Sequence, residues 1–207
     1  MSISGDGGTR RRVIDAAMRA FADRGYEATS LDALALELGV RKQTILYHFA
    51  SKEALLEAVI DVAGDELPRA LEEALETAGP GWDRVDAIVR SVFRVASRRP
   101  ELLGLLREVS RLGPPPATRL RERFEPFITR ATAFLQEEME AGRMRRQDAR
   151  LLLLAAYSTV IGVATEVEVL RALGVEPTAR SLVRRRAELL AFLRSALLPA
   201  PEVVEDP

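Results

Sequence analysis

The sequence predicts an all-α protein, and three observations carry that expectation. Apolar residues recur at helical rather than alternating spacing along the chain. Ala, Leu, Glu and Arg, which favour helix, dominate, while aromatic residues make up only 5% of the 207 residues. No Asn-Gly or Asp-Gly hairpin signal stands between alternating runs. About nine helices are expected.

The first helix is expected over 9–24. Val13, Ala16, Ala17, Ala20 and Phe21 form one stripe at i, i+3, i+4, i+7 and i+8, and Gly25 is a natural stop. A short helix follows over 31–38. Thr29 or Ser30 can cap it, Thr29 with Asp32 fits the capping-box spacing, and Gly39 ends it. A third helix is expected over 42–49. Ser51 caps a fourth, in which Pro68 predicts a kink or break. Gly79-Pro80-Gly81 is a turn, followed by a helix over 82–98. Pro100 opens a helix that ends near Gly113, and Pro114-Pro115-Pro116 reads as an extended connector. Two long helices are expected over 118–141, disturbed at Pro126, and over 148–173, closed by Gly174. Pro177 opens the last, which ends by residue 198. The remainder, 199–207, is expected to be a flexible tail.

Composition excludes much chemistry. With no Cys and one His, neither a disulfide framework nor a thiolate or multi-imidazole zinc site is possible. A Cys nucleophile is excluded, and any Ser-His-Asp relay has to use His48. No catalytic residue, metal or cofactor is expected. Glu137, Glu138 and Glu140 read as a solvated helix face rather than a metal site. The uncharged run from 151 to 165 is shorter than the roughly 20 residues of a bilayer span. Met1 to Thr9 lacks an apolar signal region, so a cytoplasmic protein without membrane attachment is expected. The 30 basic and 31 acidic residues announce no nucleic-acid partner in bulk. Locally the basic residues gather at Arg10-Arg11-Arg12 and at Arg41, Lys42 and Lys52.

The informative segment is Ser30 to Glu57. Two short helices joined by a tight turn at Gly39 have helix-turn-helix spacing. Leu31, Leu34, Ala35 and Leu38 supply the inner face of the first; Val40, Ile45 and Phe49 supply that of the turn and the second. Arg41, Lys42, Gln43, Thr44, Tyr47 and His48 are left to point outward. Such donors and amphipathic rings suit base edges and phosphates in a major groove. Lys52 lies at a helix N-terminus, which also favours a phosphate.

This segment resembles the helix-turn-helix of the TetR family of bacterial transcriptional regulators. The matching positions are Thr29, Gly39, Val40, Thr44, Tyr47, Phe49, Ser51, Lys52, Glu53, Leu55 and Leu56, with Ala16, Ala17, Phe21, Gly25 and Tyr26 upstream. The match covers about 9–58. Leu46 departs from the pattern, since many members carry Tyr there; Tyr47 or His48 is left to contact phosphate. Gln43 stands where Gly or Pro is frequent.

The resemblance implies a three-helix DNA-binding domain over 1–50 and a larger ligand-binding and dimerisation domain over 51–198. It implies a repressor that binds a palindromic double-stranded DNA operator as a homodimer and is released by a small, largely hydrophobic inducer. The DNA contacts it suggests are Thr29, Arg41, Lys42, Gln43, Thr44, Tyr47, His48 and Lys52. Candidate pocket residues are Trp82, Phe93, Phe124, Phe127, Phe134, Tyr157 and Ser158. Val160, Ile161, Ala164, Leu189, Phe192 and Leu193 are candidates for the dimer interface, though that helix pair also reads as intramolecular core. Two other readings are a helical small-molecule or partner binder without operator binding, and a metal-dependent helical hydrolase.

Overall fold

The computed structural model describes residues 4–199, with side chains from residue 7. The expected tail beyond residue 199 lies outside the described residues. Ten helices and no strand are present among the described residues: α1 (Ser4–Arg24), α2 (Leu31–Leu38), α3 (Lys42–His48), α4 (Lys52–Glu76), α5 (Trp82–Arg98), α6 (Pro100–Leu112), α7 (Pro116–Glu140), α8 (Ala149–Thr165), α9 (Val167–Ala172) and α10 (Ala179–Leu197). The protein is therefore all-α. The chain divides into two compact units. One runs to Arg69 and includes Arg98–Glu125; the other is Ala70–Ser97 and the chain from Pro126 onward.

In the first unit the stripe on α1 becomes a buried face: Val13, Ile14, Ala17, Met18 and Phe21 are all in the core. Its main partner is α6, whose Leu102, Leu103, Leu105, Leu106 and Val109 are buried. Gly104 permits this approach, because a Cβ there would lie 2.9 Å from that of Ala22. Arg119 and Arg123 of α7 pair with Asp61 and Asp65 of α4. The Arg119 hydrogen bonds hold the Asp61 carboxyl below its usual range.

In the second unit Leu135, Met139, Met144 and Ala149 form a core cluster, with Val85, Phe134, Leu152 and Leu153 packed against it. Helix α8 packs on α10. Val160, Ile161 and Ala164 are buried on α8, and Leu189, Leu193 and Leu197 on α10.

Several expected boundaries move, each for a physical reason. Helix α4 runs through Pro68 and α7 through Pro126. A proline removes one rung of the hydrogen-bond ladder, and the neighbouring rungs carry the helix across. Pro116 is the first residue of α7 rather than the end of a connector, since proline's fixed φ suits a first turn. The expected helix over 148–173 divides at Glu166, whose ψ of 74° leaves the helical region. The new direction buries Leu170 and leaves Val169 and Leu173 outside. The last helix opens after Thr178, which forms a reciprocal capping box with Ser181. Glu138 is buried, not solvated. Gly142 reverses the chain with φ of 71°, and Arg143 returns to donate two 2.8 Å bonds to the Glu138 carboxylate.

Candidate nucleic-acid interface

The turn between α2 and α3 is built on Gly39, whose φ of 67° a side chain would strain. Its N–H and that of Val40 return to the Leu36 and Ala35 carbonyls near the end of α2. Arg12 of α1 donates to the Leu38 carbonyl at 3.4 Å, so the first helix helps fix the turn. The opposite end of α2 is capped by Ser30, which accepts the Ala33 N–H at 3.1 Å. Helix α3 then buries only Ile45.

Everything else on α3 faces outward or partly so. Arg41, Gln43, Leu46 and Tyr47 are exposed, and Lys42, Thr44 and His48 are half-buried. Tyr47 is 77% exposed. Its ring meets His48 edge to face at 5.1 Å, and His48 in turn leans on Phe49. Lys42 pairs with Asp32 of α2 at 2.7 Å on an exposed surface.

The start of α4 carries a second cation. The Lys52 ammonium sits 4.2 Å above the centre of the Tyr26 ring and donates to the Glu27 carbonyl at 3.4 Å. The Tyr26 hydroxyl donates to Glu53 at 3.2 Å. Burial and the neighbouring Glu53 carboxylate push the Tyr26 phenol up to about 12, so it stays a neutral donor at physiological pH. Below this, Glu108 of α6 accepts the Tyr26 backbone N–H at 2.6 Å. Two Arg111 bonds of 2.8 Å hold its carboxyl below the usual range.

Thr29 is a different matter. At 2% exposure its hydroxyl is in the core, 2.9 Å from the Gly25 carbonyl and 3.3 Å from that of Ala20. It ties the end of α1 to the start of α2. It neither caps α2 nor presents a group to a duplex, because its single donor is spent inside. No sequence signal named Tyr26, Glu108 and Arg111 as parts of this site; Tyr26 entered only as a family-pattern position.

Elsewhere, the residues anticipated as a ligand pocket differ in burial. Phe93 is buried, Trp82, Phe127 and Phe134 are half-buried, and Tyr157 and Ser158 are exposed. Phe124 belongs to the first unit. A groove of about 410 Å³ in the second unit is lined by Thr77, Asp83, Asp86, Arg90 and Arg94 among others, and by none of these seven. Five of the six anticipated interface residues, Val160, Ile161, Ala164, Leu189 and Leu193, are buried within the chain; only Phe192 is exposed. The outward apolar residues of the pair are Leu151, Leu154, Tyr157, Val183 and Phe192. No helix among the described residues is long and apolar enough to cross a membrane.

A short polar helix, held out by a glycine turn on a small helical scaffold, defines a helix-turn-helix protein. Residues 13–59 match the family described as bacterial regulatory proteins, tetR family. The HTH-type transcriptional activator FasR of Mycolicibacterium smegmatis is 36% identical over 84 residues, which is 41% of this chain and 38% of that protein. The chain spans less than half the length of the curated relatives it matches at such identity. Among solved structures, a TetR transcriptional regulator from Chloroflexus aurantiacus is similar with a TM-score of 0.74 and 23% identity, over 96% of this chain and all of the other. AibR, solved in complex with isovaleryl coenzyme A and operator DNA, also gives 0.74, at 18% identity over 88% of this chain and 96% of the other. These likenesses fix the fold. The matched segment is similar to the DNA-binding part of that family, and the rest of the chain shares its fold.

Proposed function

We propose that this protein is a cytoplasmic regulator, not an enzyme, and that it binds a palindromic DNA operator as a homodimer through α3. The observation that carries this reading is the outward face of α3: one buried residue, Ile45, and a row of donors and rings after a fixed turn. Arg41 and Gln43 lie at the start of the helix, where base edges are read. Tyr47, Thr44, Lys42, His48 and Lys52 flank them as phosphate contacts. The exposure of Tyr47 and the enclosure of His48 between two rings favour Tyr47 as the phosphate ligand.

The dimer forms through the outer face of α8 and α10, where Leu151, Leu154, Tyr157, Val183 and Phe192 leave apolar area to be covered. A small, largely hydrophobic molecule binds in the second unit and releases the operator. It does so by binding better to a dimer state whose recognition helices no longer match the groove. The complex of AibR with an acyl-coenzyme A and operator DNA supports a ligand-responsive regulator. Repression follows where the operator overlaps a promoter. A relative named as an activator favours one further reading, activation from an upstream operator.

Fluorescence anisotropy on duplex DNA tests the DNA reading. Affinity is expected to fall linearly in log–log form with salt, by about 0.9 in slope for each phosphate neutralised. Binding without salt dependence, or no binding at low salt, overturns it.

A further inference from the structure

We infer that Tyr26 is the positioning residue for the phosphate-contacting Lys52, a platform that holds the ammonium in place before DNA arrives. The inference rests on the operator-binding reading above and assigns a residue to it.

Three observations meet at this side chain. First, the ammonium lies 4.2 Å over the ring face, within cation–π range, and also reaches the Glu27 carbonyl. Both groups that touch it are uncharged and Glu53 acts on it only at longer range, so no carboxylate is seated on the ammonium. Lys42 is the contrast: its ammonium is 2.7 Å from the Asp32 carboxylate, which offsets its charge. Second, the ring cannot swing away. Its edge meets Phe21 at a centroid distance of 5.4 Å, its hydroxyl is bonded to Glu53, and its backbone N–H is held at 2.6 Å by Glu108. Third, Glu108 is itself nearly buried and locked by two Arg111 bonds. The platform is thus anchored to α6, far along the sequence.

The physical advantage is entropic. A free lysine loses about 1.5–2 kcal/mol of rotamer freedom when it is fixed. A stem already laid on a rigid ring has lost part of that before the duplex binds.

The test uses the full chain and a duplex that the wild-type protein recovers from a randomised library. Lys52→Met is expected to lower the salt slope by about 0.9 per bound protomer. Tyr26→Leu keeps the charge, so it is expected to leave the slope near that of wild type while weakening affinity at fixed salt by about three- to tenfold, and to add no more than about a twofold loss once Lys52→Met is present. Tyr26→Phe keeps the ring and is expected to bind within about twofold of wild type. Because Tyr26→Leu also removes buried volume, its thermal midpoint is measured beside it. A second measurement needs no variant in the platform: the Lys52 ε-CH2 protons are expected upfield from the ring current of Tyr26, both free and on DNA. Recovery of no duplex by the wild-type protein overturns the operator-binding reading, and this inference with it. A wild-type complex in which Lys52→Met lowers the slope, while Tyr26→Leu leaves affinity at fixed salt unchanged or adds independently, overturns the inference alone. So does loss of the upfield shift when DNA binds.

Discussion

Helices α3 and α8 present opposite surfaces from similar scaffolding. Helix α3 buries Ile45 and turns Arg41, Gln43 and Tyr47 outward, groups that water already solvates. Helix α8 buries Val160, Ile161 and Ala164 and leaves Leu151, Leu154 and Tyr157 outside, where water is a poor partner. The first surface can wait for a charged ligand at no cost to solubility. The second gains only when a partner covers it. Under the proposed function, one chain separates two associations by chemistry: polar and salt-sensitive at α3, apolar at α8 and α10.

The largest expected effects probe which residues are scaffold. Leu193→Ala empties a buried position on α10 and is expected to cost about 2–5 kcal/mol in chemical denaturation at fixed protein concentration. A loss below about 1 kcal/mol would contradict the core assignment. Its neighbour Phe192 is 58% exposed, and Phe192→Glu is expected to leave the helical fold intact while raising the dimer dissociation constant by at least about tenfold. Sedimentation velocity reads this directly, and an unchanged dimer would move the interface elsewhere.

Glu108 gives an effect of intermediate size with a pH signature. Its folded pKa is depressed, chiefly by Arg111 and then by the Tyr26 N–H, against the cost of burial. Its stabilisation is therefore present above the unfolded carboxyl value, about 4.3, and is lost as pH falls through the folded value. Glu108→Gln keeps an acceptor for Tyr26 but loses the charge. It is expected to lower stability at pH 7 by about 1–3 kcal/mol and to flatten the acid limb. An acid limb identical to wild type would remove this role. The smallest expected effect is that of Thr29→Val, about 0.5–1.5 kcal/mol in stability from the lost hydroxyl bonds, with DNA affinity of the folded protein unchanged. A selective loss of affinity would return Thr29 to the interface.

The contrast also explains what was legible in the residues. Around α3, polar and apolar positions alternate sharply, and Gly39 marks the turn, so the bounds of α2 came out as expected and those of α3 within a residue. Helix α8 is apolar on nearly every side, so composition could not say which residues face α10 and which face out. Five of the six anticipated interface residues are buried within the single chain, a distinction that composition does not encode. Of the two hydroxyls that could cap α2, Ser30 does so, while that of Thr29 turns inward to the Gly25 and Ala20 carbonyls, a choice that sequence spacing leaves open. Pro68 and Pro126 suggested breaks because a proline's cost is visible in sequence, while the packing that carries a helix across it is not. The Tyr26 platform joins residues 26 and 82 positions apart, which no local period encodes.

The central claim is that α3 reads DNA in a two-fold pair. Selection from a randomised duplex library by the purified full-length chain tests it most directly. The account expects enrichment of an inverted repeat with half-site centres about 10 bp or a multiple apart, and a relaxed preference at one base pair per half-site for Gln43→Ala. Enrichment of no sequence, or of a single unrepeated site unaffected by Gln43→Ala, would contradict it.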